Sequence, residues 1–281
     1  MTRRRFASDI ERADELIRDG ILRTPLEPAP ALGRSGGAHV FIKWECEQRT
    51  GSFKLRGALC ALRSLSQAER RRGVLTASTG NHGLAMVHAA RAEGVRLALF
   101  VPLSIAPVKR DKLRAAGAYS VIAGATCEQS EIMARAEAAS SGRVYLSPYN
   151  DGRVVAGQGT VGLEIAAALP EVQDVLVPVG GGGLAAGVAG AVKAFSPSAR
   201  VWGVEPIHSA FLSASFRAGR LVGIAEKPTL ADAVAGGIEP GSITFELCRR
   251  RLDGILTVSE RRIRDAQRSL QRIRGGPVEG A

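Results

Sequence analysis

From Gly73 to about Asn150, short β-branched or apolar runs alternate with stretches of helical periodicity. Val74-Leu75-Thr76-Ala77 leads into a helix from about Asn81, Arg96 to Val101 into one near Val108 to Ala116, and Tyr119-Ser120-Val121-Ile122 into one near Glu128 to Ala139. Val144-Tyr145-Leu146 closes the series. Strands alternating with helices of this length predict a parallel sheet with helices on its faces. The same grammar resumes with Val155 to Leu169 as a helix, Asp174 to Val179 as a buried strand, Leu184 to Phe195 as a helix and Val201 to Glu205 as a strand. At the other end, Ser8 can cap a helix with Ile10, Ala13, Leu16 and Ile17 on one face, and His39 to Trp44 reads as a strand. The simplest arrangement is a larger α/β domain built from residues 1–72 and 151–281, with a small α/β domain, residues 73–150, inserted. Val175 to Val192 carries no charge and is about as long as a membrane span. Pro178 and the glycine run make it a buried strand, a turn and a helix instead.

Composition narrows the class. At 45% hydrophobic and 23% charged over 281 residues, the chain is neither disordered nor fibrous, and is long enough for one large or two modest domains. After Met1-Thr-Arg-Arg-Arg no apolar segment follows, so no signal peptide is expected and the protein is placed in the cytoplasm. Cys46, Cys60, Cys127 and Cys248 have neither metal-ligand spacing nor the look of a disulfide scaffold. The net charge of +11 raises nucleic acid. However, the arginines fall in helical stretches such as Arg70-Arg71-Arg72 without interleaved aromatics, so a solvated basic surface accounts for them and small anionic substrates come next. No nucleic-acid or membrane partner is expected. Against 32 arginines the six lysines, Lys43, Lys54, Lys109, Lys112, Lys193 and Lys227, are few enough for a special one to stand out.

Three stretches carry candidate chemistry. In Thr50-Gly51-Ser52-Phe53-Lys54-Leu55-Arg56-Gly57-Ala58, Ser52 is a good N-cap, which puts Lys54 in the first turn of a helix. The macrodipole disfavours a cation there and favours the neutral amine, the state a Schiff-base nucleophile needs. A lysine snorkelling from a partly exposed turn would look the same. In Ala77-Ser78-Thr79-Gly80-Asn81-His82-Gly83, between a strand and a helix, hydroxyls, an amide and free N–H groups converge on a helix N-terminus suited to a carboxylate. In Val179-Gly180-Gly181-Gly182-Gly183-Leu184, four glycines let successive N–H groups wrap a phosphate at the positive end of the next helix. The last stretch has a rival reading, since Gly181-x-Gly183-x-x-Ala186 with Glu205 at the end of the following strand also satisfies a dinucleotide fingerprint. A nicotinamide oxidoreductase gives the first two stretches no task. One cofactor with an aldehyde, an aromatic ring and a phosphate gives a task to all three, and that is pyridoxal 5'-phosphate.

These motifs, followed in order by Ala156-Gly157-Gln158-Gly159-Thr160 and Val204-Glu205-Pro206, resemble the fold type II pyridoxal-phosphate enzymes, specifically the threonine/serine dehydratase and serine racemase group. The resemblance runs from about Arg23 to Ala281. Leu230-Ala231-Asp232 and Gly236-Gly237-Ile238 look most like the hydroxyectoine-utilisation dehydratase subgroup. The resemblance implies a tryptophan synthase β-like fold, two α/β domains with the cofactor between them. It implies that Lys54 forms the Schiff base, Phe53 packs by the ring, Asn81 bonds the ring hydroxyl, and the N–H groups of Gly180, Gly181, Gly182, Gly183 and Leu184 hold the phosphate. Ser78, Thr79, Asn81 and His82 would bind the substrate carboxylate, with Thr79 a candidate second acid/base. A dehydratase/ammonia-lyase of L-threonine or L-serine type, usually a homodimer, is the function implied.

Two departures from the family qualify it. The metal-using members have an acid a few residues beyond the Glu of Val-Glu-Pro, whereas Ile207 to Phe211 supply none, so no metal is expected. The family also continues beyond Val-Glu-Gly-Ala for another helix and strand, so a truncated C-terminus is expected. A serine racemase-like activity, a non-catalytic homologue with a binding role and, least favoured, an NAD-dependent oxidoreductase remain alternatives.

Overall fold

Two separate parallel sheets realise the alternation of strands and helices in this computed structural model, which describes residues 3–33 and 36–281. The chain begins with α1 (Arg3–Ile17), β1 (Leu26–Pro28), α2 (Pro30–Gly33) and β2 (Phe41–Lys43), β1 and β2 forming an antiparallel pair. After α3 (Lys54–Arg63) and α4 (Gln67–Arg72) come β3 (Val74–Ala77), α5 (Asn81–Ala92), β4 (Leu97–Val101), α6 (Pro107–Ala115), β5 (Ser120–Ile122), α7 (Cys127–Ser141) and β6 (Val144–Tyr145). These four strands make one parallel sheet in the order β5-β4-β3-β6. The second half contains α8 (Gly152–Ala168), β7 (Asp174–Pro178), α9 (Gly183–Phe195), β8 (Arg200–Pro206), α10 (Phe211–Ala218), α11 (Ile243–Arg251), β9 (Gly254–Val258) and α12 (Glu260–Arg274). Its strands form a parallel sheet in the order β7-β8-β9. Among the described residues no helix is long and apolar enough to cross a membrane.

Two helix starts differ from expectation. Ser8 lies inside α1, which begins earlier, so it caps nothing. Ser52 does not cap α3 either: Phe53 occupies the N-cap with no side-chain cap, and the Ser52 hydroxyl is buried without a partner. Lys54 is nevertheless the first residue of α3.

Helix α8 is where the site's supports meet. Its glycines let neighbouring backbones approach without an intervening side chain. A Cβ on Gly157 would come 2.6 Å from Arg56 O in α3, and one on Gly187 of α9 would come 2.4 Å from Val155 O in α8. The Ala-Gly-Gln-Gly-Thr motif is therefore a packing surface joining α3 to α9. Val155, Val161, Ala185, Val188, Ala189 and Val192 fill the core between α8, α9 and the three-stranded sheet.

A buried ion network secures α3 from the other side. Arg56, fully buried, donates to Glu45 at 2.8 and 2.9 Å, to Glu164 of α8 at 2.6 and 3.1 Å, and to Thr160 Oγ1 at 3.1 Å. Lys43 donates to Glu164 Oε2, which it shares with Arg56, and to Thr24 O. Every member is paired, the condition under which buried charge is tolerated.

Candidate active site

Lys54 sits where α3 starts and is half-buried. Its Nζ donates to Pro148 O at 3.0 Å and lies 5.3 Å from the centroid of the Phe53 ring. Burial, with no carboxylate beside it, brings the pKa of Lys54 down to about 8. The shift is toward the neutral amine, as expected from the sequence, but its cause is desolvation and not the macrodipole, and the ammonium still predominates at pH 7.

The next residue after Pro148 carries the site across to the tetraglycine loop. Tyr149 lies against Gly181, where a Cβ would come 2.3 Å from the ring. The Tyr149 hydroxyl accepts from Glu239 N at 3.0 Å, and Ser147 Oγ donates to Glu239 Oε1 at 3.3 Å. Phe53 and Leu184, on either side of this junction, pack onto the same apolar cluster.

The loop itself is held from behind. Thr244 Oγ1 of α11 donates to Gly181 O at 2.6 Å, and Cys248 Sγ lies 3.5 Å from Gly182 O. In a trans peptide the N–H of the next residue points opposite the carbonyl, so the N–H groups of Gly182 and Gly183 point away from α11. Gly182 adopts φ +84, the left-handed region open to glycine. The first helical bond of α9 is Ala186 N to Gly182 O at 2.9 Å, so Gly183, Leu184 and Ala185 present first-turn amides with no partner inside the helix. This is the geometry of an anion cradle.

The Ser-Thr-Gly-Asn-His-Gly stretch forms the turn from β3 into α5, but its side chains diverge. Ser78 Oγ accepts from Gly80 N at 3.2 Å, a local turn contact. Thr79 Oγ1 makes no hydrogen bond to another described residue. Asn81 Nδ2 donates to Glu279 Oε2 at 2.9 Å. The His82 side chain turns inward, with Nε2 3.0 Å from Thr76 Oγ1. Ser78, Thr79, Asn81 and His82 therefore share a turn without all four side chains facing one point.

Glu205, the acid of the dinucleotide reading, is only 1% exposed. Its two oxygens accept from Leu212 N and Ser213 N at 2.8 Å each, anchoring the start of α10. Burial raises its pKa against those two bonds. A carboxylate so enclosed cannot meet a ribose, and among the described residues no group of acids, histidines and cysteines could hold a metal.

Tyr149, Thr244, Cys248 and Glu279 are site residues the sequence reading did not single out. Thr244 and Cys248 are four apart on one helix face, a signal present in the sequence. Their partners lie 63 and 66 residues away, and nothing local announces those.

A family model described as pyridoxal-phosphate dependent enzyme matches residues 17–281. A putative threonine dehydratase of Sinorhizobium fredii is 43% identical over 252 residues, covering 89% of this chain and 76% of that protein. An L-threonine ammonia-lyase of Thermotoga maritima is 39% identical over 258 residues, covering 92% of this chain and 64% of that protein, so the chain spans less than two thirds of this relative's length. The structure of maize serine racemase superposes with a TM-score of 0.91 at 30% identity, covering 97% of this chain and 84% of that one. With the match running from the end of α1 to the last residue, the chain belongs to the family of pyridoxal-phosphate dependent enzymes.

Proposed function

We propose that this chain is a dehydratase/ammonia-lyase that takes a small hydroxy amino acid, L-threonine or L-serine, through loss of water and hydrolytic loss of ammonia to a 2-oxo acid. The observation that carries this is the pairing of a half-buried Lys54 amine, its pKa near 8, with an amide cradle at Gly181–Leu184 joined to it through Pro148 and Tyr149. The residues present fit pyridoxal 5'-phosphate. The amides of Gly182, Gly183 and Leu184 would hold its phosphate, Phe53 would pack by its ring, Lys54 would bond its aldehyde, and Asn81 would meet the ring hydroxyl. The buried, unpartnered hydroxyls of Thr50 and Ser52 beside Lys54 are further polar groups such a ligand or its water can satisfy. When bound, that group supplies an electron-accepting conjugated ring for charge released at the substrate's Cα.

The chain's own residues do the rest. Lys54 Nζ would be the base that takes the substrate's α-proton, and its pKa leaves a share of it neutral near pH 7. The backbone amides at the start of α5 and the Thr79 hydroxyl, which has no partner among the described residues, would receive the substrate carboxylate. We place the smaller domain at residues 73–150 and the larger at 1–72 with 151–281, a division supported by the four-stranded sheet lying wholly within the first range. The four unpaired cysteines support a reducing, cytoplasmic setting, and homodimer formation rests on the family resemblance.

A visible absorption spectrum, followed by borohydride reduction and peptide mapping, tests the reading. The protein should be yellow with a pyridoxyl adduct on Lys54; an adduct on Lys193 or Lys227 sinks the assignment. A second reading, racemisation, is favoured by the unengaged Thr79 hydroxyl and the likeness to maize serine racemase. Chiral chromatography of L-serine incubations beside a keto-acid assay separates the two, with D-serine outpacing pyruvate as the result that selects the racemase.

A further inference from the structure

Glu279 is carried to the start of α5 by a tail that is pinned on both sides of it. Gln267 Nε2 of α12 donates to Val278 O at 3.4 Å, and a Cβ on Gly280 would come 2.3 Å from Leu230 O, so the backbone there lies against that carbonyl. Further upstream, Arg274 donates to Pro277 O at 3.3 Å and lies 3.5 Å from Glu47 Oε1. In a chain with 38 basic side chains, the carboxylate so placed meets none of them among the described residues. Its partner is the neutral amide of Asn81, whose Nδ2 donates to Oε2 at 2.9 Å.

An asparagine amide can sit either way round, but an ionised carboxylate only accepts. Only the NH2 end of Asn81 can therefore face Glu279. That end carries two hydrogens, and Glu279 takes one; the other has no partner among the described residues. Strands β3 and β6 are parallel neighbours, so the chain leaving each of them emerges at the same edge of the sheet. After β3 this chain carries Asn81 at the start of α5, and after β6 it carries Pro148, whose carbonyl accepts from Lys54 Nζ at 3.0 Å. The spare N–H thus belongs to the edge at which Lys54 is held.

We propose that Glu279 is a positioning residue that holds the Asn81 amide the one way round that offers an N–H, and not a carbonyl, to the ring hydroxyl of pyridoxal 5'-phosphate. An oxygen facing an N–H accepts and needs no hydrogen of its own, whereas one facing a carbonyl must keep a hydrogen to donate. Glu279 therefore favours the ring oxygen without its proton. The inference rests on the reading of Lys54 and Asn81 as cofactor contacts and adds the group that sets which atom of Asn81 the ring meets.

Glu279→Gln keeps the length and shape of the side chain, but its amide can pair with Asn81 in either sense, so the constraint is lost. The absorbance of the bound cofactor reads the outcome, because the ring oxygen without its proton goes with a visible band and the protonated one with a near-ultraviolet band. In Glu279→Gln the ratio of visible to near-ultraviolet absorbance should fall about two- to tenfold, the worth of one hydrogen bond. Asn81→Ala should lower it as well, and adding Glu279→Gln to Asn81→Ala should change it no further. An unchanged ratio in Glu279→Gln overturns the proposal. So does a Glu279→Gln effect that persists without Asn81, since Glu279 would then act by its charge and not through the amide. Should a variant lose the cofactor, NMR of the Asn81 side-chain amide in the apoprotein decides: its two protons should differ widely in shift in the wild type and draw together in Glu279→Gln, and an amide that is the same in both overturns the proposal. A wild-type protein with no cofactor band, or with a pyridoxyl adduct away from Lys54, sinks the cofactor reading instead.

Discussion

The Thr244 hydroxyl holds the Gly181 carbonyl at 2.6 Å, from a helix that begins sixty residues after the glycine loop ends. This bond turns the loop's next amide outward, so its removal should be felt as weaker anion binding. Thr244→Val keeps the shape and deletes the donor. We expect the affinity for pyridoxal 5'-phosphate to fall about two- to tenfold, the value of one hydrogen bond, together with a lower melting temperature, because the Gly181 carbonyl and the Ser242 hydroxyl lose a buried partner. Absorbance titration of the apoprotein with the cofactor measures it.

Burying Lys54 carries a pH-dependent cost. Its pKa falls from 10.5 to about 8 on folding, so between those values the unfolded chain binds more protons, and stability of the apoprotein rises as pH climbs through that window. Below pH 8 the penalty is complete, at most about 3 kcal/mol. Lys54→Met should therefore stabilise the apoprotein at pH 7, and the gain should shrink as pH passes 8 and approaches 10.5. Urea unfolding at a series of pH values checks this, and a gain that stays constant with pH contradicts it.

Arg56→Leu should do the reverse. It leaves Glu45 and Glu164 facing each other in a buried space with only Lys43 bonded to Glu164. Breaking such a network by removing one partner costs about 3–5 kcal/mol, read by the same unfolding measurement.

The contact between α8 and α9 predicts an effect without any polar group. Gly187→Ala would set a methyl 2.4 Å from Val155 O, and backbone must move to admit it. A loss of about 1–3 kcal/mol is expected, together with reduced cofactor retention, because α9 carries the amide cradle at its start. Equilibrium dialysis of the purified holoenzyme would show the second effect.

What could be read along the chain was periodic or contiguous. The strands and helices from Val74 to Tyr145 follow their apolar spacing, and the three motifs at Lys54, Ser78 and Gly180 stand on the turns expected of them. What escaped depends on burial and distance. Ser52 has the chemistry of a cap, but its hydroxyl is enclosed and faces no helical amide. β1 is three residues ending in Pro28 and exists only because β2 pairs with it. Arg56 looks like any basic residue in an arginine-rich chain until Glu164, 108 positions away, is brought against it. Glu279 reaches Asn81 across 198 positions.

The glycine contacts of α8 give the site a fixed gauge. Where side chains separate two helices, their spacing drifts with every rotamer and every substitution. Here α3 rests on Gly157 and α9 on Val155 and Gly159, so the span from the lysine-bearing helix to the anion-bearing one is set by peptide groups in van der Waals contact. Such a span varies little with the identity of surrounding residues. The outer surface can therefore change while the distance that a phosphate and an aldehyde must bridge stays the same.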